Sequence, residues 1–346
     1  MNNILPGVTV VIPIRNEERR IAECLESLID QSYPHDRMEI LLMDGHSVDQ
    51  TRLVAKKFCE RYPFIRLMDN PKKIVPVALN LGIHAASGEI IIRMDAHTYY
   101  DRDYVAKCVE TLMRFDAQNV GGPIQTLPGN ETPIAKAIAL ATSHPFGVGN
   151  SKFRTESKAQ YVDTVPFGAF RRSLFEEIGY FNEKLERNQD IEFNSRIIQA
   201  GGRIFLNPEI KSFYYNQSTL RGLWRHNFKN GLWNIFTFSL NRGSLSWRHF
   251  VPLVFILSLL TMLILSLGSR WGIAGFVLIL LSYLFASSYF SFRIATSWTL
   301  SMILLLPLVF ATLHFSYGFG SLVGLVRLNR WKKGLRKESN GGLGTN

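Results

Sequence analysis

Ser87-Gly88-Glu89-Ile90-Ile91-Ile92-Arg93-Met94-Asp95-Ala96-His97 sets a turn, a short β-branched run and two polar side chains in immediate succession. A brief apolar run opened by a glycine reads as a buried strand. Strands buried on both faces belong to parallel sheets covered by helices. In open α/β sheets, ligands bind beyond the carboxyl ends of the strands. Asp95 stands at such an end, with His97 two residues on. A carboxylate and an imidazole in one loop can turn toward one divalent cation, and that cation can hold a diphosphate. An aspartate after a strand is also a common turn or helix-cap residue, so the flanking sequence has to separate the two readings.

Toward the N-terminus, strand and helix signals alternate. Residues 8–12 read as a strand stopped by Pro13. Asn16-Glu17-Glu18 open an amphipathic helix with Ile21, Leu25, Leu28 and Ile29 as its apolar positions, and Pro34 ends that unit. A second strand is expected at 39–43, ending at Asp44-Gly45-His46-Ser47, and Asp49 or Ser47 is placed to cap a helix over 50–61. A strand at 65–68, a helix at 75–86 and a helix at 102–115 complete the pattern. It predicts an α/β nucleotide-binding sheet of the doubly wound kind. From residue 116 the alternation breaks. A strand or turn at 120–123, a helix at 131–143 and a polar, mobile loop at 145–157 are expected. After them come an extended stretch at 162–170, a short helix at 172–178, a helix at 190–200 ended by Gly201-Gly202, and closing strands at 203–206 and 210–215.

The composition changes after Thr219. Residues 220–240 mix Trp224, Phe228, Trp233, Phe236 and Phe238 with Arg221, Arg225, His226 and Lys229. A helix with aromatics and cations on separate sides lies in a membrane interface. Three apolar stretches follow, at 250–267, 273–290 and 300–326. The first two have about the length that spans a bilayer and the third exceeds it. Arg327, Arg330, Lys332, Lys333, Arg336 and Lys337 crowd the tail, which the positive-inside rule places in the cytosol. With the nucleotide-binding part also cytosolic, three crossings put the tail on the wrong side. Either one stretch lies in the interface, or 300–326 bends back near Pro307 or Gly318–Gly320, so two to four crossings are open.

Formal net charge is +11, from 39 Lys and Arg against 28 Asp and Glu. That points to phosphate-bearing partners or an anionic membrane face. The sequence shows no zinc-ligand spacing, basic repeat or aromatic ribonucleoprotein motif, so nucleic acid is not the expected partner. Cys24, Cys59 and Cys108 are scattered and read as reduced residues of a cytosolic domain. Residues 8–12 are too short an apolar run for a signal peptide, and export is not expected.

Four motifs in order carry a resemblance that covers roughly residues 8–233, about two-thirds of the chain. They are Val11-Ile12-Pro13-Ile14-Arg15-Asn16-Glu17, Asp44-Gly45-His46-Ser47-Val48-Asp49-Gln50-Thr51, Asp95-Ala96-His97, and Asn188-Gln189-Asp190-Ile191-Glu192-Phe193 preceded by Val165-Pro166-Phe167-Gly168. Together they resemble the family 2 glycosyltransferases of the GT-A fold, in particular the membrane-bound enzymes of succinoglycan-type exopolysaccharide assembly. The fold this implies is a nucleotide-binding mixed sheet flanked by helices, followed by an interfacial helix and C-terminal transmembrane helices. The expected boundaries are 1–218 for the glycosyltransferase domain, 219–249 for the interfacial segment, 250–327 for the transmembrane region and 328–346 for a basic cytosolic tail.

The resemblance also implies roles. Pro13, Arg15, Asn16 and Glu17 would line the nucleotide pocket, and Asp44 would accept from a uracil-type base. Gly45 and His46 depart from the family pattern, where a second acid and a glycine are usual. Asp95 would face the ribose and, with His97 in place of a second carboxylate, bind a divalent cation, Mn²⁺ or Mg²⁺; imidazole suits Mn²⁺ better. Asp190 matches the general base that takes the acceptor proton. Gln189 stands where glutamate is usual. Gly168, Gln189 and Glu192 would border the acceptor, although Glu192 also reads as structural. The Gln-x-x-Arg-Trp motif of processive synthases is absent, and Arg225 and Lys229, at i and i+4, are the cations left to face a diphosphate. The implied activity is inverting transfer of a hexose, glucose by the resemblance, from a nucleoside-diphosphate sugar such as a UDP-sugar to a polyprenyl-diphosphate-linked glycan. The enzyme would be a multi-pass protein of the cell inner membrane with its catalytic domain in the cytosol. The competing readings are a processive polysaccharide synthase and a non-catalytic nucleotide-binding membrane partner.

Overall fold

Along β1 (Val8–Ile14) the side chains alternate between two cores. Val8, Val10, Ile12 and Ile14 enter one and Val11 the other. This two-sided burial is what the β-branched runs encode, and each fully buried aliphatic side chain contributes roughly 1.5–3 kcal/mol. The computed structural model describes residues 5–155, 158–295 and 300–341, with residue 300 and the last six as backbone only, so Arg336 and Lys337 of the expected tail lie outside the described side chains. The chain forms two compact units. One holds the N-terminal residues through Thr126 together with Ser151–Tyr215, and the other holds Leu127–Asn150 together with the chain from Asn216. Residues 127–150, inside the stretch expected as one domain, thus pack with the C-terminal helices.

In the first unit, β1 is followed by α1 (Ile21–Ile29), β2 (Met38–Asp44), α2 (Thr51–Arg61), β3 (Ile65–Asp69), α3 (Val75–Ala85), β4 (Ile90–Arg93), β5 (Thr98–Tyr100), α4 (Tyr104–Arg114), β6 (Asn119–Gly121) and β7 (Ile124–Leu127). The chain leaves through α5 (Pro133–Thr142) and α6 (Pro145–Val148) and returns with α7 (Lys152–Thr155), β8 (Gln160–Val162), β9 (Ala169–Arg171), α8 (Ser173–Ile178), α9 (Gln189–Gln199), β10 (Ile204–Leu206) and β11 (Ser212–Tyr215). The main sheet runs β3-β2-β1-β4-β9-β6-β10-β8. Its first four strands are parallel, whereas β9 is antiparallel to both β4 and β6. The sheet is therefore mixed, with a doubly wound half. A smaller sheet is ordered β5-β11-β7.

Several expectations are corrected. Pro13 does not stop β1; it lies inside the strand opposite Met43. Val11 O accepts from Met94 N at 3.0 Å and Ile14 O from Gly45 N at 2.8 Å. Successive residues alternate in direction, so Pro13 faces the β4 side. β4 has ended at that level, and the missing N–H leaves no ladder bond unmade. The first helix begins at Ile21 rather than at 16, because Asn16 sits at φ 58° and turns the loop before the helix can start. The expected loop at 145–157 holds α6 and α7, with 156–157 outside the described residues.

The second unit contains α5, α6, α10 (Leu220–Leu240), α11 (Val251–Leu265), α12 (Arg270–Ile294) and α13 (Leu300–Gly341). Its core joins Ala137, Ile138 and Ala141 of α5 to Leu306, Val309 and Phe310 of α13. α11 has 15 residues, about 22 Å at 1.5 Å per residue. That is short of the roughly 30 Å hydrocarbon core, so the stretch 250–267 does not form a helix of spanning length. Two helices are long and apolar enough to cross a membrane, Arg270–Ile294 and Ser301–Leu335. On α12, Leu278 and Phe285 are 66% and 75% exposed, the outer surface of a membrane-associated helix. α13 does not bend back; it runs as one helix through Pro307, Gly318 and Gly320. A Cβ on Gly320 would run into the carbonyl oxygen of Phe228, and one on Gly231 into that of Tyr317. The glycines bring α10 and α13 into backbone contact instead of breaking a helix. α10 accordingly buries Leu223, Ile235 and Phe236, and Trp224 is exposed beside Arg221 and Arg225, so aromatics and cations do not separate cleanly.

Candidate active site

Three loops leave the carboxyl ends of β1, β2 and β4, which are neighbours in the sheet. Side chains tie the three together. Asn16 N donates to Ser47 Oγ at 3.1 Å, and Asn16 Oδ1 accepts from Val48 N at 2.9 Å. Glu17 N donates to Thr51 Oγ1 at 2.7 Å, while the Glu17 carboxylate meets His97 Nδ1 at 3.3 Å. Asp49 accepts from Thr51 N and Oγ1, so it, rather than Ser47, holds the start of α2. Arg15 is exposed and reaches the Lys73 carbonyl at 3.3 Å.

Asp44 ends β2 with its side chain fully shielded from solvent. Oδ1 accepts from Ser47 N at 3.0 Å and Ser47 Oγ at 2.6 Å, and Oδ2 accepts from Arg52 at 2.7 Å. Burial pushes this carboxyl up, but the bonds from Ser47 and Arg52 outweigh it and hold it below its ordinary range. Arg52 also binds Asp69, at the end of β3, at 2.6 Å. Both Asp44 oxygens are thus already engaged, one by Ser47 and the other by Arg52. What the structure shows of Asp44 is its hold on the 44–52 loop.

Asp95 follows β4. Its Oδ1 accepts from Arg93 at 2.9 Å, and its backbone N–H donates to the Tyr100 hydroxyl at 2.8 Å. Arg93, which from sequence alone reads equally as a phosphate or acid partner and as a surface residue, is only 8% exposed. The His97 ring lies 5.1 Å from that of Tyr214, edge to face. Burial disfavours the charged imidazole, but the Glu17 bond and the Asp95 charge prevail and raise its pKa. Among the described residues, no cluster of three or more His, Cys, Asp or Glu is arranged to hold a metal ion. The donor set still suits one. With Glu17 on Nδ1, Nε2 of His97 is the nitrogen that would serve a metal, the carboxylate–histidine pairing found behind many metal ligands.

Asp190 lies in the first turn of α9, after Asn188 at φ 62°. Its Oδ1 accepts from Ile191 N at 2.9 Å, and Oδ2 makes no hydrogen bond among the described residues. It lines a small cavity with Arg93, Asn119, Phe167, Gly168 and Asn194. Gly168 is needed there, because a Cβ would strike Asn119 Oδ1. Gln189 is buried with Oε1 unpartnered among the described residues. Glu192 turns away: it is 4% exposed and gripped by Arg196 through two bonds of 3.0 and 3.1 Å, so its carboxylate is taken up structurally. Arg225 and Lys229 belong to the second unit and are exposed on α10. Arg52 and Tyr214 had no role assigned from sequence, Ser47 was offered only as a helix cap, and the burial of Arg93 was not foreseen. A lone arginine closing a run of three isoleucines was the one available signal, since its burial requires a partner.

The site therefore has three loops cross-linked at the strand ends, an aspartate–histidine pair beyond β4 and, at a helix start, a carboxylate with one oxygen not hydrogen-bonded among the described residues. Residues 9–179 match Glycosyl transferase family 2. The chain is 30% identical over 246 residues to the succinoglycan biosynthesis protein ExoA of Rhizobium meliloti (strain 1021), covering 70% of this chain and 74% of that protein. It is 28% identical over 331 residues to the dolichyl N-acetyl-alpha-D-glucosaminyl phosphate 3-beta-D-2,3-diacetamido-2,3-dideoxy-beta-D-glucuronosyltransferase of Methanococcus voltae, covering 93% of this chain and 98% of that one. Among solved structures, the mannosyltransferase PcManGT of Pyrobaculum calidifontis, in complex with GDP-Man and Mn²⁺, superposes with a TM-score of 0.62 at 18% identity over 93% of this chain and 88% of that one. That likeness speaks for the fold. The chain belongs to glycosyl transferase family 2. It is a glycosyltransferase that transfers sugar from a nucleotide sugar.

Proposed function

We propose that the chain is an inverting transferase that moves a hexose, glucose by the motif resemblance, from a UDP-sugar to a polyprenyl-diphosphate-linked glycan. The observation that carries this reading is Asp190, which lines a cavity together with Arg93 and has only one carboxylate oxygen hydrogen-bonded among the described residues. A carboxylate with a free lone pair can take the acceptor proton as the hydroxyl attacks the anomeric carbon, and the nucleotide leaves from the opposite face. Pro13, Arg15, Asn16 and Glu17 border the nucleotide, Asp95 takes the ribose side, and Gly168 with Gln189 borders the acceptor. Asp95 and His97 would hold a divalent cation, which when bound neutralises charge on the leaving diphosphate. The lipid phosphate in the name of the Methanococcus relative supports a lipid-linked acceptor. The two long apolar helices support a multi-pass protein of the inner membrane with the first unit in the cytosol.

The test is purified full-length protein with a panel of UDP- and GDP-sugars, Mn²⁺ and polyprenyl-diphosphate-linked acceptors, the product read by mass and anomeric configuration. One sugar added with inverted configuration is expected, and Asp190→Asn should lower turnover about 10²–10⁴-fold while nucleotide affinity stays within about threefold. Retained configuration, or Asp190→Asn turning over like the parent, overturns the reading.

A further inference from the structure

We propose that Arg93 is a positioning residue shared by the two acids of the site. It fixes the Asp95 carboxylate and supplies the positive charge that lets Asp95 and Asp190 border one region without repelling each other. The inference rests on the roles given above to those aspartates. Arg93 closes β4 at 8% exposure, donates to Asp95 Oδ1 at 2.9 Å, and lines the cavity that Asp190 also lines. Its Cζ lies 5.5 Å from the ring of Phe167. That ring is presented by a residue at φ 48°, a strained setting for a bulky side chain, whose carbonyl accepts from the Tyr104 hydroxyl at 2.9 Å.

The bonding of this guanidinium is unlike that of a structural arginine. Arg196, on α9, is saturated: it binds both Glu192 oxygens and the carbonyls of Ile178, Gly179 and Tyr180. Arg93 makes one side-chain bond, and its Nε is buried with no partner among the described residues. A donor left unmade in a buried place is tolerated where function requires the group. What Arg93 supplies that a neutral donor would not is a permanent charge. Two carboxylates with no cation near them would disfavour each other's charged form.

Full-length protein in detergent, titrated with UDP and with GDP in the presence of Mn²⁺, tests this through Arg93→Gln, Arg93→Lys, Asp95→Asn and the Arg93→Gln/Asp95→Asn pair. Loss of a charged hydrogen bond is expected to weaken nucleotide binding about 10- to 100-fold in Arg93→Gln. On the Asp95→Asn background the same change should matter less than about threefold, since Arg93 acts through Asp95. Arg93→Lys keeps the charge and should restore most of the affinity, and also most of the turnover that Arg93→Gln loses at saturating nucleotide sugar. Equal losses on both backgrounds, or parental affinity in Arg93→Gln, overturn the inference. If Arg93→Gln does not fold, Arg93→Lys decides: parental melting with affinity as low as that of Asp95→Asn overturns it. Asp95→Asn binding like the parent would instead remove the donor-site reading, and this inference with it.

Discussion

Ser47 is a small residue on which two loops depend. Its hydroxyl donates to Asp44 at 2.6 Å and accepts from Asn16 N at 3.1 Å. Asp44 is held below its ordinary value of 3.8. A carboxyl depressed in the folded state stabilises the fold above its unfolded value, and that stabilisation is lost as pH falls through the lower folded value. Ser47→Ala should therefore cost about 1–3 kcal/mol near neutral pH. The gap from the parent should narrow as pH falls below about 4, read by denaturant unfolding across pH; a gap independent of pH would show that Asp44 is not the group involved. At this scale the sequence was legible in where its short motifs fall in the fold. Asp95, His97 and Asp190 stand where their motifs put them, around the carboxyl ends of the strands and the start of α9. The partners were not legible, because Glu17 meets His97 across 80 positions and no local pattern encodes so distant a contact.

Most helices and long strands follow from periodicity, since residues that alternate or recur every three to four positions must bury one face. β5 and β7 escaped because three or four residues carry too little pattern, and β5 is defined by its pairing with β11. α13 shows a deeper ambiguity. In sequence, a glycine reads the same whether it ends a helix or admits a neighbouring backbone, and the Phe228 carbonyl that decides Gly320 lies far away along the chain. Gly231→Val and Gly320→Val should each force α10 and α13 apart, at about 1–3 kcal/mol or more. Gly334→Val, with nothing within 4 Å of its added Cβ, should leave the thermal midpoint in detergent almost unchanged. Equal midpoints for all three variants would mean that the close contact contributes nothing.

At the scale of the molecule, every residue proposed for the nucleotide, the metal and the base belongs to the first unit, yet that unit is not a contiguous segment. Leu127–Asn150 is lent to the other. Ending the chain after Thr219 removes Leu306, Val309 and Phe310 from the faces of Ala137, Ile138 and Ala141. The truncated protein should bind nucleotide in detergent and aggregate without it, as seen by gel filtration; a monodisperse, detergent-free product would show that α5 does not need α13. The same interleaving sets a schedule for synthesis. At roughly 5–20 residues per second, Ile138 leaves the ribosome about ten to thirty seconds before Phe310. Throughout most of that interval α5 has only α6 and then Leu223 of α10 for partners and lacks its α13 face, and by then the strands of the first unit have all been made. The nascent chain therefore carries a sticky helix on an otherwise completed nucleotide-binding unit. The order of synthesis thus leaves the α5 face for α13 uncovered until the last long helix is made.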